Sequence, residues 1–351
     1  MNNLHNTLVE LGKWFREEAI LNEELLKSSE AHNGWFTEDS VKTALTNHGE
    51  MLRSESVEKW LEFYSIESIE NCSTTKRLGL VTAGNLPLVG WHDMLCGLVS
   101  GFYVDVKASR DDQILPRAVV SKLEEISPEL KGRITFVDGK LGEIDAVIAT
   151  GSSNTTRYFE SYFSHIPHIF RSQRTGVAVL DGNETDEELS GIGDDMFTHF
   201  GLGCRSTTKI FLPEGFDLDR CFAQWVKWGE VGNHNKFANN YDYHKAIWLL
   251  NGEDLIENGF LLVKKDEGWV SPVGTLYIEF YSDLSKVVSK ISEYSEGIQV
   301  ITSRVGWTEL QSDLQKSSPR LSFNTFGSAQ CPEIFDYADG VDTIEFLQGL
   351  K

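Results

Sequence analysis

The chain has 351 residues, 40% of them hydrophobic and 24% charged, a soluble globular balance at a length beyond the usual reach of one hydrophobic core. Two α/β lobes are therefore expected. With 53 acidic residues against 32 basic ones the net charge is -21, which repels phosphate backbones and anionic lipid and argues against nucleic acid or a membrane surface as partner.

Residues 1 to about 65 read as amphipathic helices, with Leu8, Leu11, Trp14 and Phe15 on one face and no recognisable chemistry. The first residues lack a basic region followed by an apolar core, and no later run is long enough to span a bilayer, so a cytoplasmic chain is expected. From Arg77 the pattern alternates. Strands are expected at 77–83, 102–107, 134–137 and 145–150, with helices over 89–100, 113–126 and a stretch through Tyr158 and Phe163. Regular alternation implies βαβ units and a parallel sheet, whose ligands sit at the carboxyl ends of the strands. Asn85, Lys107 and Ser152 all fall at such ends. A second series begins after Gly176: a strand at 177–180, an acidic helix at 185–200, a strand at 207–212, helices over 218–228 and 243–250, strands at 260–264 and 275–281, and a helix at 284–294. The join between lobes is expected near 172–176.

Five scattered cysteines, Cys72, Cys96, Cys204, Cys221 and Cys331, suit neither a disulfide framework nor a zinc knuckle. No metal site is expected, since ligand spacing is absent. Cys204 stands out. It follows Gly201-Leu202-Gly203 between a helix and a strand, where glycines leave backbone amides free for a bound group. A thiolate there can attack a carbonyl carbon while its own N–H holds the oxyanion, with Arg205 as a nearby positive charge. An inert buried thiol fits the spacing equally well.

Asn85, in Ala83-Gly84-Asn85-Leu86-Pro87-Leu88, is a neutral donor suited to an oxyanion or an ordinary turn asparagine. Lys107 suits an adenosine ribose or its 2′-phosphate, or is a solvated surface lysine. Gly151 and Ser152, opening a helix, suit a pyrophosphate, although no Gly-x-Gly-x-x-Gly or Walker sequence occurs. The acid pairs Asp111-Asp112 and Asp194-Asp195 read as helix-start acids or a solvated helix face, His199 as a helix-end residue, and His234 as part of a polar loop.

These signals occur in the order found in the aldehyde dehydrogenase superfamily. Gly84-Asn85-Leu86-Pro87-Leu88 resembles its Trp-Asn-Phe-Pro-Leu loop, and Val104-Asp105-Val106-Lys107-Ala108-Ser109 its strand ending in Lys-Pro-Ser. Ala149-Thr150-Gly151-Ser152 resembles Phe-Thr-Gly-Ser, and Gly201-Leu202-Gly203-Cys204 resembles Gly-Gln-x-Cys. Phe200-Gly201-Leu202-Gly203-Cys204-Arg205 and the tail from Gln330 to Asp342 are similar to the acyl-CoA reductase branch that includes the fatty-acyl reductase of bacterial luminescence. The resemblance implies an aldehyde dehydrogenase-like α/β fold. Its parts are a helical N-terminal region (1–75), a Rossmann-like dinucleotide-binding domain (76–175), an α/β catalytic thiol domain (176–325) and a tail (326–351) packing back on the cofactor domain or a partner subunit. It implies NADPH, or NADH, held by Lys107, Gly151 and Ser152; an acyl-CoA or other acyl thioester substrate; Cys204 as nucleophile; Asn85 as oxyanion donor; and a homo-oligomer. The superfamily's general-base glutamate, due near Arg171–Thr175, is absent, which suits reduction over hydrolysis of the acyl-enzyme. A thiol acyltransferase or thioesterase without redox chemistry, or a non-catalytic scaffold of the same fold, remains the alternative.

Overall fold

The computed structural model describes residues 3–66, 75–318 and 321–350, so Cys72 lies outside the described residues. The chain forms two compact units, Met1–Gln173 with Pro332–Lys351, and Arg174–Cys331. The first unit gives way to the second after residue 173 and resumes at residue 332.

The first unit opens with four helices, α1 (Asn3–Glu17), α2 (Glu23–His32), α3 (Glu38–Met51) and α4 (Ser54–Phe63). The apolar face read from the sequence is real: Leu8, Leu11 and Phe15 are fully buried, and Trp14 is half-buried. They share one core with Trp91, Leu115 and Leu123. These helices are a layer of the unit rather than a detached arm. Next come β1 (Arg77–Val81), α5 (Trp91–Val99), β2 (Tyr103–Lys107), α6 (Ile114–Ile126), β3 (Ile134–Phe136), β4 (Ala146–Thr150), α7 (Ser153–Phe163) and β5 (His168–Arg171). All the pairings are parallel, in the order β3-β2-β1-β4-β5. The chain runs from β1 out to β3 and then crosses to β4. The topological switch therefore lies between β1 and β4, where open α/β sheets place their ligand crevice. β5 is the strand of this sheet that the sequence pattern missed; its His168 and Arg171 break the apolar run.

The second unit holds β6 (Thr175–Val179), α8 (Asp186–Phe197), β7 (Thr207–Pro213), α9 (Asp219–Trp225), α10 (Asn235–Leu250), β8 (Leu255–Glu257), β9 (Leu262–Lys265), β10 (Thr275–Tyr281), α11 (Leu284–Glu293), β11 (Ile298–Ser303), α12 (Thr308–Ser317) and β12 (Ser322–Thr325). Its sheet order is β12-β11-β6-β7-β10-β9-β8, parallel except for β8 against β9. α8 begins at a capping box, Thr185 with Glu188, as its acidic start suggested. All six residues of β11 are buried, Gln299, Thr302 and Ser303 among them, so the strand carries no polar–apolar alternation for sequence reading to find.

Residues 332–350, including α13 (Thr343–Gln348), belong to the first unit. His92 Nε2 bonds the Ile334 carbonyl at 2.9 Å, and Trp60 Nε1 donates to the Tyr337 hydroxyl at 2.8 Å. Arg171, 3% exposed, makes a two-pronged ion pair with Asp93 at 2.6 and 3.1 Å, and also donates to the Thr343 hydroxyl at 2.9 Å and to the Ala338 carbonyl. Removing one partner of such a pair strands the other charge in a low-dielectric interior. Asp93→Ala should cost about 3–5 kcal/mol of stability in urea unfolding; a loss below about 1 kcal/mol, typical of surface pairs, would show that the pair does not hold the tail.

Candidate active site

In the first unit the structure brings Asn85, Lys107, Gly151 and Ser152 to one edge of the sheet. They follow or end β1, β2 and β4, three adjacent strands. Lys107 is exposed and paired in register with Val81, its carbonyl accepting from the Thr82 N–H. Asn85 is exposed on a loop that is tightly held. A Cβ on Gly84 would stand 2.5 Å from the Ser109 hydroxyl. Asn33, from the N-terminal helical layer, donates to the Gly84 carbonyl at 3.4 Å. The loop leaves through Leu88, whose φ of 60° is left-handed; its N–H donates at 2.8 Å to Asp112 Oδ2. Asp112 is thus a buried anchor for the Asn85 loop, not a helix-start acid. Burial pushes its carboxyl up to about 7, against the opposing pull of that N–H.

Ser152 N-caps α7, its hydroxyl accepting from the Thr155 N–H at 3.4 Å. The cap leaves other first-turn amides without intrahelical acceptors, and the Ser152 residue is exposed. Gly151 is needed for packing: a Cβ there would come within 2.8–3.1 Å of Thr155 and Phe159.

Cys204 lies in the second unit, half-buried, in the turn that enters β7. α8 stops at Phe197, short of the expected 200, and His199, Phe200 and Gly201 follow with φ of 54°, 58° and 74°. Left-handed backbone costs roughly 1–2 kcal/mol at each non-glycine residue, so packing must fix this run. The Phe200 ring lies 4.4 Å from His234. His234 itself caps α10, accepting from the Phe237 N–H, and so is a structural residue rather than an idle loop. Burial pushes His199 down to about 4, leaving it neutral at pH 7.

One expectation about this turn needs correction. The Gly203 amide is not left for a ligand; it donates to the Ser206 hydroxyl at 3.2 Å, because the turn closes on itself. Arg205 is 9% exposed and its Nε donates at 2.6 Å to the Ala329 carbonyl, so it anchors the turn to the segment after β12. Asp195 is also not on a solvated face. It is fully buried and accepts from the Gly327 and Ala329 N–H groups, each at 2.9 Å. Its neighbour Asp194 does face outward, paired with Lys227.

The remaining described cysteines differ from Cys204. Cys96 and Cys221 are buried, and burial raises both thiols, Cys221 to about 12; Cys331 is exposed. Among the described residues no group of three or more His, Cys, Asp or Glu side chains is arranged to hold a metal ion, and no helix is long and apolar enough to cross a membrane.

A family model described as acyl-CoA reductase (LuxC) matches residues 15–224. The chain belongs to the LuxC acyl-CoA reductase family. That assignment supports an oxidoreductase acting on acyl or aldehyde groups, and the fold of this family member is that of the aldehyde dehydrogenases. Aldehyde dehydrogenase 21 from Physcomitrella patens, in complex with succinate, superposes with a TM-score of 0.69 at 11% identity, covering 99% of this chain and 83% of that one. The Mycobacterium tuberculosis aldehyde dehydrogenase complexed with NAD+ gives 0.68 at 12%, with the same coverage. A Pseudomonas syringae aldehyde dehydrogenase mutant with NAD+ and octanal gives 0.66 at 12%, covering 92% and 76%. A cytokinin riboside 5′-monophosphate phosphoribohydrolase of Arabidopsis thaliana is 23% identical over 129 residues, 36% of this chain and 55% of that protein. The chain thus matches little more than half the length of that curated relative, and so short a match assigns no activity.

Two measurements check the local geometry. Gly201→Ala forces a side chain into left-handed backbone with its Cβ 3.2 Å from the Met196 carbonyl. It should lose about 1–2 kcal/mol in denaturant unfolding, and unchanged stability would contradict the backbone described. In the native protein at neutral pH, iodoacetamide should label Cys204 and Cys331 and spare Cys96 and Cys221, read by peptide mass mapping; labelling of Cys221 at a rate equal to that of Cys204 would refute the assignment of environments.

Proposed function

We propose that the chain reduces an acyl-CoA, most suitably a long-chain one, to the aldehyde and free CoA through an S-acyl intermediate on Cys204, with NADPH favoured over NADH. The observation that carries this reading is the presentation of Cys204. In a member of an acyl-CoA reductase family, it is a half-buried thiol held in a closed turn behind three left-handed residues. Backbone strain of this kind persists where surrounding contacts over-determine it, commonly at working sites.

The donor set fits a nicotinamide dinucleotide. Lys107 supplies an exposed cation at the end of β2 for the ribose or its 2′-phosphate. Ser152 and the first turn of α7 supply donors suited to the pyrophosphate, beside the β1/β4 switch point. NAD+ in two of the structural neighbours supports the same cofactor class. The resemblance in sequence favours NADPH; Lys107 suits both forms. When bound, the cofactor supplies hydride.

The Cys204 thiolate attacks the thioester carbonyl. The oxyanion is held by the Cys204 N–H, a role the sequence resemblance extends to the Asn85 amide, and re-forming the carbonyl expels CoA as its thiolate. Hydride from a bound nicotinamide would turn the S-acyl carbon into a thiohemiacetal oxyanion held on Cys204. Its collapse releases the aldehyde and returns the thiolate. The missing glutamate near Arg171 leaves no side chain at that position to activate water, which protects the acyl-enzyme until it is reduced. Reduced nicotinamide and CoA thioesters are cytoplasmic reagents, so the reading puts the chain in the cytoplasm.

Mixing the protein with acyl-CoAs of graded length, without reductant, should add one acyl mass to the intact wild type and none to Cys204→Ala. Adding NADPH should then discharge the adduct with acyl-dependent loss of NADPH absorbance. Asn85→Ala should lower kcat by about 10²–10³-fold, the usual scale for one oxyanion donor. Undiminished turnover by Cys204→Ala would overturn the reading, and an adduct discharged without NADPH oxidation would replace it with acyl transfer or hydrolysis.

A further inference from the structure

We propose that Asp195 is a positioning residue for Cys204, gripping the segment 327–330 so that this segment in turn fixes the turn from Gly203 to Ser206. The inference rests on Cys204 being the nucleophile. Every link lies within the second unit. Asp195 Oδ2 accepts from the Gly327 N–H and Oδ1 from the Ala329 N–H, both at 2.9 Å. The Ala329 carbonyl then accepts from Arg205 Nε at 2.6 Å. The Gln330 amide donates both to the Asp195 carbonyl at 3.3 Å and to the Ser206 hydroxyl at 3.2 Å. That hydroxyl accepts the Gly203 N–H, while the Ser206 N–H closes the turn onto the Gly203 carbonyl at 3.1 Å. Cys204 is therefore bracketed on both sides by residues tied to Asp195, through its carboxylate and through its backbone carbonyl.

The approach is also sterically exact in its demands. A Cβ on Gly191, one helical turn before Asp195, would stand 2.9 Å from the Gly327 nitrogen. Gly327, at φ 85°, would meet the Gly191 backbone in the same way. Two glycines thus let the segment lie against α8 at the distance its amides need to reach the carboxylate.

A fully buried carboxylate is costly unless its oxygens are used, and here both accept backbone amides. The titratable groups facing it are Asp194 on its own helix, Arg205 from the Cys204 turn and the Cys331 thiol from the following segment. Burial raises Asp195 to about 7, with the two amides and Arg205 pulling the other way. Deprotonation frees both oxygens to accept, so the grip tightens as pH rises through neutrality and loosens below it.

The test is the rate of Cys204 alkylation by iodoacetamide across pH, which needs no acyl chemistry. Wild type should show an inflection near 7 beyond the thiol's own. Asp195→Asn should lose that inflection and react up to about 10²-fold more slowly at high pH, the scale on which a 1 Å misplacement of a reacting group acts. Gln330→Ala, which cuts the links to Ser206 and to the Asp195 backbone carbonyl but leaves both amide bonds to the Asp195 carboxylate, should keep the inflection with a reduced plateau. Wild-type rates and profile in a cooperatively folded Asp195→Asn would overturn the proposal. If that variant fails to fold, a wild-type rate in Gln330→Ala overturns it instead. Failure of wild type to form an S-acyl adduct would count against the reductase reading alone, since the alkylation profile is read independently.

Discussion

Parallel pairing of β1 with both β2 and β4 decides where chemistry can occur in the first unit. Parallel strands joined by crossovers all end at one edge, so the loops after them converge whatever their sequences. Asn85, Lys107 and Ser152 share an edge for this reason alone. The rest of the unit is arranged to keep those loops in one shape. The helical layer lends Asn33, the loop before α6 lends Ser109 and Asp112, and Thr155 and Phe159 crowd Gly151. In the second unit the equivalent device is the left-handed run at His199–Gly201, which brings the chain out of α8 and into the Cys204 turn without a long loop.

The sequence made much of this legible. Apolar runs ended by polar residues marked four of the five strands of the first sheet, and the residues weighed just beyond three of them lie at one edge of it. Cys204 stood out because two glycines precede it before a strand. What could not be read was the supporting polar layer. Asp112 and Asp195 sit in acidic pairs, and an acidic pair in a helix or at its start is ordinarily solvated. The signal for Asp195 was nevertheless present: Leu189, Ile192 and Met196 mark the buried stripe of α8, and Asp195 falls within it, four residues after Gly191. A carboxylate on an apolar stripe needs partners, and its partners come from residues 327–330, far along the chain. No local pattern could name them. The same holds for Gly203, whose amide is used by a hydroxyl three residues away.

The tail illustrates how burial outranks sequence position. It leaves the second unit at Cys331 and completes the first, where Arg171 and Asp93 receive it together with Trp60 and His92. Arg171 ends the strand at which a general base stands in oxidising relatives by resemblance. In this chain its side chain is committed to Asp93, Ala338 and Thr343.

This threading has a consequence for synthesis. The second unit is continuous, from Arg174 to Cys331, and can close its sheet as soon as that stretch has cleared the ribosome. The first unit begins earlier but waits longer, because Trp60, His92 and the Arg171–Asp93 pair lack their last neighbours until residues 332–351 emerge. A nascent chain therefore carries a half-built first unit for as long as residues 174–331 are being made, and that interval is when chaperones have most to hold.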